Sequence, residues 1–269
     1  MKSYHDLQGD GGSQVLEQVL GLQARIGARL AQVRHRLAIG SGKGGVGKST
    51  LTLQLASALR VRGLSVAILD ADLNGPCQAR LAGISGQAPL PGPAGLALPR
   101  SAEGIGVLSL GSLLRENEDL VFESVAPGDS HTWRAIRERT LLLELLAAVD
   151  WGRLDVLLLD LPPGAERTVQ AAELLGAETA FVLVTLPAEL SRAVVARSAA
   201  ALLRTPNRVL GYAENMTGLF PPGDAQELGV PCLGQVPFDP SLAAGGPAST
   251  AAEALRGLAG RVHELLEAR

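Results

Sequence analysis

The chain has 269 residues, a formal net charge of −3 and 46% hydrophobic residues, which suits one compact domain with an ordinary core. The slightly acidic balance provides no general attraction to nucleic acid, so we expect no nucleic-acid partner. No apolar run reaches the roughly 18 to 20 residues of a membrane span, so we expect no membrane insertion either. We find no targeting pattern and therefore expect a cytoplasmic protein. The two cysteines, Cys77 and Cys232, lie far apart in the sequence, so we expect no disulfide framework.

Helical and strand patterns alternate along the chain. Apolar positions three or four apart predict an amphipathic helix over residues 14–36, and seven later apolar runs, mostly unbroken, are typical of strands buried on both faces. Further helices are predicted near 48–62, 133–149, 166–176, 188–204 and 249–269. This alternation predicts an α/β fold, a mainly parallel twisted sheet flanked by helices on both faces. We divide the chain into an N-terminal helical extension (1–36) and one main α/β domain (37–269), with a Gly/Pro-rich surface excursion over 83–104.

A glycine-rich loop follows the first predicted strand. The segment GKGGVGKST matches the pattern G-x-x-x-x-G-K-[ST], in which glycines permit a tight wrap and backbone N–H groups face the phosphates at a helix N-terminus. We expect Lys48 to reach the β- and γ-phosphates and the Ser49 hydroxyl to bind Mg²⁺. The predicted nucleotide-binding residues of this loop are Gly42, Lys43, Gly44, Gly45, Val46, Gly47, Lys48, Ser49 and Thr50. The loop therefore predicts a P-loop NTPase that binds Mg-ATP.

Acidic residues end two further predicted strands. Asp160 closes the apolar run LLLD, which is typical of a Walker-B strand whose carboxylate holds Mg²⁺ through water, and the following Gly164 offers an amide to the γ-phosphate. Asp70 and Asp72 lie two residues apart in LDADLNGP and are expected on the same side of an extended chain. We predict that Ser49, Asp70 and Asp160 serve the metal, while Asp72 polarises the attacking water.

In this order, the segments GKGGVGKST, DADLNGP, LLLDLPPG and ENM resemble the deviant Walker-A ATPases, and most closely the Mrp/ApbC family of iron–sulfur cluster carrier ATPases. The resemblance runs from about residue 34 to the C-terminus. It implies a homodimer in which Lys43 reaches the partner's phosphates across a nucleotide sandwich, so that Lys43 and Lys48 are both catalytic. It also implies that Asn215 contacts adenine and that LGVPCLGQVPFDPSL, which includes Pro237, leads into the loop covering the base.

Two segments differ from the family pattern. The family's cluster-binding C-x-x-C follows the ENM segment, but this chain reads NMTGLFPPGDAQELG there and has no cysteine. The family's Pro-Pro-Gly-Thr-Gly-Asp is replaced by PPGAER. We therefore expect a slow ATPase that serves an iron–sulfur or other client protein but binds no bridging iron–sulfur cluster of its own. A MinD/ParA-like positioning or regulatory ATPase and a nucleotide-switched scaffold with little turnover remain as alternatives.

Overall fold

Seven parallel strands form the central sheet in the computed structural model, which describes residues 15–112, 131–220, 228–243 and 249–268. The strands are β1 (Val33–Ser41), β2 (Val66–Asp70), β3 (Leu90–Gly92), β4 (Gly95–Ala97), β5 (Gly106–Leu108), β6 (Leu154–Asp160), β7 (Thr179–Thr185), β8 (Val209–Thr217) and β9 (Cys232–Pro237). The α-helices are α1 (Val15–Leu30), α2 (Lys48–Val61), α3 (Gln78–Leu81), α4 (His131–Ala148), α5 (Ala165–Leu175), α6 (Glu189–Leu202), α7 (Pro240–Ala243) and α8 (Ala252–Glu267). The sheet order is β5-β2-β6-β1-β7-β8-β9, and β3 pairs with β4 in a separate antiparallel hairpin.

Helices cover both faces of the sheet because successive residues of the buried strands point to opposite sides. Leu37 and Ile39 of β1 belong to the core cluster that includes α2 and α8, whereas Ala38 belongs to the cluster that includes α1, α4, α5 and α6. The predicted parallel α/β architecture is therefore confirmed. The carboxyl ends of β1, β2 and β6 meet at one edge of the sheet, where ligands of such sheets bind.

The predicted N-terminal helix is too long at its C-terminal end. Helix α1 ends at Leu30, and β1 begins at Val33, which pairs in parallel with Leu154 of β6. Val33 is buried, whereas the next residue, Arg34, is exposed, as in a strand. The apolar spacing that predicted a helix as far as Val33 is therefore overridden by pairing with β6. The division into an extension over 1–36 and a domain over 37–269 stays a prediction.

Two surface features of the fold also bear on the predictions. The Gly/Pro-rich stretch 83–104 is largely exposed, and it contains the hairpin of β3 and β4, which its composition did not predict. Helix α8 packs its apolar side, including Leu255 and Val262, into the core. None of the helices within the described ranges is long and apolar enough to cross a membrane.

Candidate nucleotide-binding site

The loop between β1 and α2 has the backbone shape that its glycines predict. Gly45 and Gly47 have φ angles of 77° and 76°, in the left-handed region that favours glycine. A Cβ atom on Gly47 would lie 2.4 Å from Asn215 Nδ2 and 2.9 Å from Met216 Cε. Asn215 Nδ2 donates to the Val46 carbonyl at 2.9 Å. The end of β8 therefore supports the loop directly, and the predicted nucleotide residues on both segments lie together.

The remaining loop residues differ in their exposure. Lys43, Gly44 and Gly45 are exposed to solvent, and the Lys43 carbonyl accepts a hydrogen bond from Ser41 Oγ at 3.1 Å. Gly42 packs against α6, where an added Cβ would lie 2.5 Å from Val194 Cγ1. The Lys43 side chain is thus free to extend away from its own loop. Thr50 is half-buried in the first turn of α2.

A buried ion pair joins the loop to the end of β6. Lys48 Nζ lies 2.5 Å from Asp160 Oδ1 and 3.2 Å from Ser49 Oγ, and the Lys48 and Asp160 side chains are 6% and 0% exposed. Thr52 Oγ1 also approaches Asp160 Oδ1 at 3.3 Å. A buried ammonium needs an anionic partner, so Lys48 is held beside the loop by the acid that was predicted to serve the metal.

Asp70 is buried at the end of β2 and binds the segment that follows it. Its Oδ2 accepts hydrogen bonds from the backbone N–H groups of Cys77 and Gln78 at 2.9 and 3.0 Å, and from Ser109 Oγ at 2.8 Å. Burial, followed by the charge of Asp160, raises the pKa of the Asp70 carboxyl to about 7. A cation at this edge of the sheet would favour its ionised form.

Asp72 lies just beyond the strand and is half-buried. Its Oδ1 accepts a hydrogen bond from the Gly75 backbone at 3.3 Å, and burial raises the pKa of its carboxyl, whereas the charge of Lys48 lowers it. Asp72 is therefore close enough to the Lys48–Asp160 pair to be influenced by both charges. A carboxyl with a raised pKa is a better proton acceptor than an ordinary one, which suits the role predicted for it.

The turn after β6 is tied to the same region. Gly164, at a φ of 117°, donates its backbone N–H to the Ser41 carbonyl at 2.9 Å. Arg167, in the first turns of α5, places Nη1 2.5 Å from Glu138 Oε2 on α4. Asn74 Nδ2 donates to the other oxygen of Glu138 at 2.9 Å. Glu138 therefore links the segment after β2 to the segment after β6.

The last predicted contact residue lies at the end of β9. Pro237 is half-buried and pairs with Thr217 of β8, and the next backbone N–H, that of Phe238, donates to the Thr217 carbonyl at 3.0 Å. Asn215 pairs with Val236 in the same ladder. Asn215 and Pro237 thus lie at one end of the sheet, although they are distant in sequence.

One buried residue of the site, Gln78, was not predicted from the sequence. Gln78 Nε2 donates to the Ser49 carbonyl at 2.9 Å and to Asp160 Oδ2 at 2.8 Å. No motif signals this residue, because it follows the DADLNGP segment inside a short helix. Within the described ranges no three His, Cys, Asp or Glu residues converge as a metal site. A divalent cation here would take its other ligands from phosphate and water, as Mg²⁺ commonly does.

Four features together define a P-loop NTPase: the parallel sheet, the glycine-rich loop at its central strand, the buried lysine and the strand-end acid. The family model described as "NUBPL iron-transfer P-loop NTPase", within the ParA group, matches residues 32–256, and the chain belongs to this family. The predicted resemblance to iron–sulfur cluster carrier ATPases is therefore confirmed.

Individual relatives agree with this assignment. An iron–sulfur cluster carrier protein of Saccharolobus solfataricus is 32% identical over 245 residues, covering 85% of this chain and 79% of the relative. The cytosolic Fe-S cluster assembly factor CFD1 of Eremothecium gossypii is 37% identical over 236 residues, covering 79% of this chain and 80% of the relative. A nucleotide-binding protein of Archaeoglobus fulgidus, solved in complex with ADP, has a TM-score of 0.67 at 31% identity, covering 90% of this chain and 93% of that one.

Proposed function

We propose that this protein binds ATP with Mg²⁺, hydrolyses it slowly, and works as a cytoplasmic homodimer in iron–sulfur cluster assembly. The observation that carries the proposal is the buried pair of Lys48 Nζ and Asp160 Oδ1, 2.5 Å apart, with Ser49 Oγ 3.2 Å from the same ammonium. A cation, a hydroxyl and a carboxylate beside a glycine-rich loop are the groups that a magnesium nucleotide requires. The named relatives support the assignment to cluster assembly.

The residues at this edge of the sheet fit Mg²⁺, a hard cation that prefers oxygen ligands. Ser49 and Asp160 would hold it, and Asp70 would hold water molecules around it. When bound, Mg²⁺ neutralises charge on the phosphate oxygens. The chain itself supplies Lys48, which exchanges Asp160 for a phosphate oxygen, and Asp72, which accepts a proton from the attacking water. The Gly164 amide would have to leave the Ser41 carbonyl in order to reach the γ-phosphate.

The two loop lysines provide the test of nucleotide binding, because each is the matched control for the other. In isothermal titration with Mg-ATP, Lys48→Ala should weaken binding by about 10- to 100-fold, since a charge-assisted hydrogen bond is lost. Lys43→Ala should bind nearly as tightly as the wild type. Equal affinity of wild type and Lys48→Ala would contradict the proposal. Phosphate release measured on the same samples separates an ATPase from a nucleotide-switched scaffold.

We also propose that the dimer forms through Lys43. Its side chain is exposed, and the family resemblance assigns it to the phosphates of a second copy. Sedimentation with a slowly hydrolysed ATP analogue should show a dimer for the wild type and a monomer for Lys43→Ala, which should also lose turnover. An unchanged dimer in the variant would show that Lys43 is a surface residue with no role in dimerisation.

The positions of the cysteines support a cluster-free protein that acts with a client. Cys77 follows the carboxyl end of β2, whereas Cys232 begins β9, an outer strand that four other strands separate from β2. A four-iron cluster usually takes four thiolates, which these two positions do not bring together on one edge. Anaerobic reconstitution with iron and sulfide should leave little of either bound. Stoichiometric iron and sulfide, abolished by Cys77→Ser or Cys232→Ser, would overturn this proposal.

A further inference from the structure

The glutamine after Cys77 lies behind the phosphate-binding loop, at the centre of the predicted metal site. Gln78 is the first residue of α3, and its side chain is fully buried. Its Nε2 donates to the Ser49 carbonyl at 2.9 Å and to Asp160 Oδ2 at 2.8 Å, and its backbone N–H donates to Asp70 Oδ2 at 3.0 Å. One residue therefore contacts all three residues that are predicted to serve Mg²⁺.

The two oxygens of Asp160 have different partners. Oδ1 faces Lys48 and Thr52, whereas Oδ2 accepts its hydrogen bond from Gln78. If Lys48 moves to a phosphate, Oδ1 loses its cation, but the Gln78 bond to Oδ2 does not depend on that movement. A hydrogen bond to an ionised carboxylate is short and strong, so Gln78 can hold the orientation of Asp160 with and without nucleotide.

The oxygen of the Gln78 amide, Oε1, shows that packing alone does not explain why a glutamine stands at this position. Oε1 is buried and accepts no hydrogen bond from any of the described residues. An unpaired buried acceptor is unfavourable, and an apolar side chain of similar size would avoid that cost. The flipped amide would set Oε1 against a carboxylate and a carbonyl, which are both acceptors, so the contacts with Asp160 and Ser49 fix the orientation observed.

We propose that Gln78 is the positioning residue of the Mg²⁺ site, aligning the Asp160 carboxylate with the Ser49 segment so that both serve one cation. The inference rests on the magnesium-nucleotide binding proposed above. Gln78 is not itself a ligand in this arrangement and acts through Asp160. Its loss should therefore weaken the binding of the metal more than the binding of the nucleotide.

The test compares ADP binding in EDTA with ADP binding during a Mg²⁺ titration, using a fluorescent ADP analogue. In Gln78→Leu the half-saturating Mg²⁺ concentration should rise about tenfold, as expected for one lost hydrogen bond to a charged group, whereas the ADP affinity in EDTA should change by less than about twofold. Gln235→Leu is the matched control, because Gln235 Nε2 donates to a different carboxylate, Glu214 Oε2, at 2.9 Å on β8. The control should leave the Mg²⁺ dependence unchanged.

Several outcomes separate this inference from the proposed function. If the wild type binds ADP without any Mg²⁺ dependence, both fail. If the wild type depends on Mg²⁺ and Gln78→Leu has the same half-saturating concentration, only the positioning role is overturned. An equal loss of ADP affinity in EDTA and in Mg²⁺ would assign Gln78 a merely structural role and would also overturn it. Gln78→Met, whose unbranched side chain is close in length, carries the same expectation if Gln78→Leu does not fold.

Discussion

Replacement of Gly47 by alanine tests how far the glycine-rich loop depends on the absence of a side chain at this position. An alanine at a φ of 76° costs about 1–2 kcal/mol for its left-handed backbone. Its Cβ would lie 2.4 Å from Asn215 Nδ2 and 2.9 Å from Met216 Cε, so Asn215 would have to leave the Val46 carbonyl. Overpacking of this kind costs about 1–3 kcal/mol. We expect Gly47→Ala to lower the free energy of unfolding by about 2–5 kcal/mol in total.

The opposite end of the same helix provides the matched control. Gly63 has a φ of 88°, and apart from its two chain neighbours no described residue has an atom within 4 Å of an added Cβ. Its N–H donates to the Arg60 carbonyl at 2.8 Å, and the next N–H, that of Leu64, donates to the Leu59 carbonyl at 3.3 Å, as in a Schellman C-cap. Gly63→Ala should therefore show the backbone cost alone, about 1–2 kcal/mol.

Urea denaturation without nucleotide, followed by circular dichroism, measures both variants. The excess destabilisation of Gly47→Ala over Gly63→Ala should be about 1–3 kcal/mol, and only Gly47→Ala should lose ADP affinity in titration calorimetry. Equal destabilisation of the two variants, with unchanged ADP binding in both, would refute the steric reasoning and the placement of Asn215 against the loop.

Two further predictions concern carboxylates outside the nucleotide loop. The backbone N–H and hydroxyl of Ser65 both donate to Asp155 Oδ2 at 2.7 Å and lower the pKa of Asp155, so Asp155→Ala should cost at most about 1 kcal/mol at pH 7. This difference in unfolding free energy should shrink as pH falls below about 4, and a difference that grows in acid would contradict the prediction. Arg192 Nε and Nη2 donate to the buried Glu214 Oε1 at 2.8 and 2.5 Å, so Arg192→Met should cost about 3–5 kcal/mol in urea denaturation. Arg192→Met combined with Glu214→Leu should recover most of that loss, and a double variant as unstable as the single one would argue against an uncompensated charge.

The sequence predicted the central features of the fold because their signals are local. Unbroken apolar runs lie within β1, β6 and β7, at residues 37–39, 156–159 and 180–184, as expected for strands with helices on both faces. The glycine pattern marks the turn from β1 into α2. The boundary between α1 and β1 was wrong because it depends on a distant partner. Only the pairing of Val33 with Leu154 shows that the chain is extended there.

The network around the site could not be predicted for the same reason. Gln78 and Asp160 are 82 residues apart, and Asn74 and Glu138 are 64 residues apart, so neither hydrogen bond leaves a short-range pattern. Arg167 stands where the family pattern has an acid, and its substitution was recognised in the sequence as a departure. Its contact with Glu138 gives that departure a structural role, because it links α5 to α4 and, through Asn74, to the segment after β2.

The charge balance of the site connects nucleotide binding to metal binding. Lys48 is the cation that neutralises the buried Asp160, and in the proposed function the same ammonium moves to a phosphate oxygen. A phosphate that draws Lys48 away leaves the Asp160 carboxylate buried without its cation, which is costly unless another positive charge replaces it. A divalent cation at Ser49 and Asp160 would restore the balance, so nucleotide and Mg²⁺ should each strengthen the binding of the other by the same factor. The buried ion pair would thus couple the two ligands, and the hydrogen bond from Gln78 to Asp160 Oδ2 would keep the carboxylate aligned while its cation is exchanged.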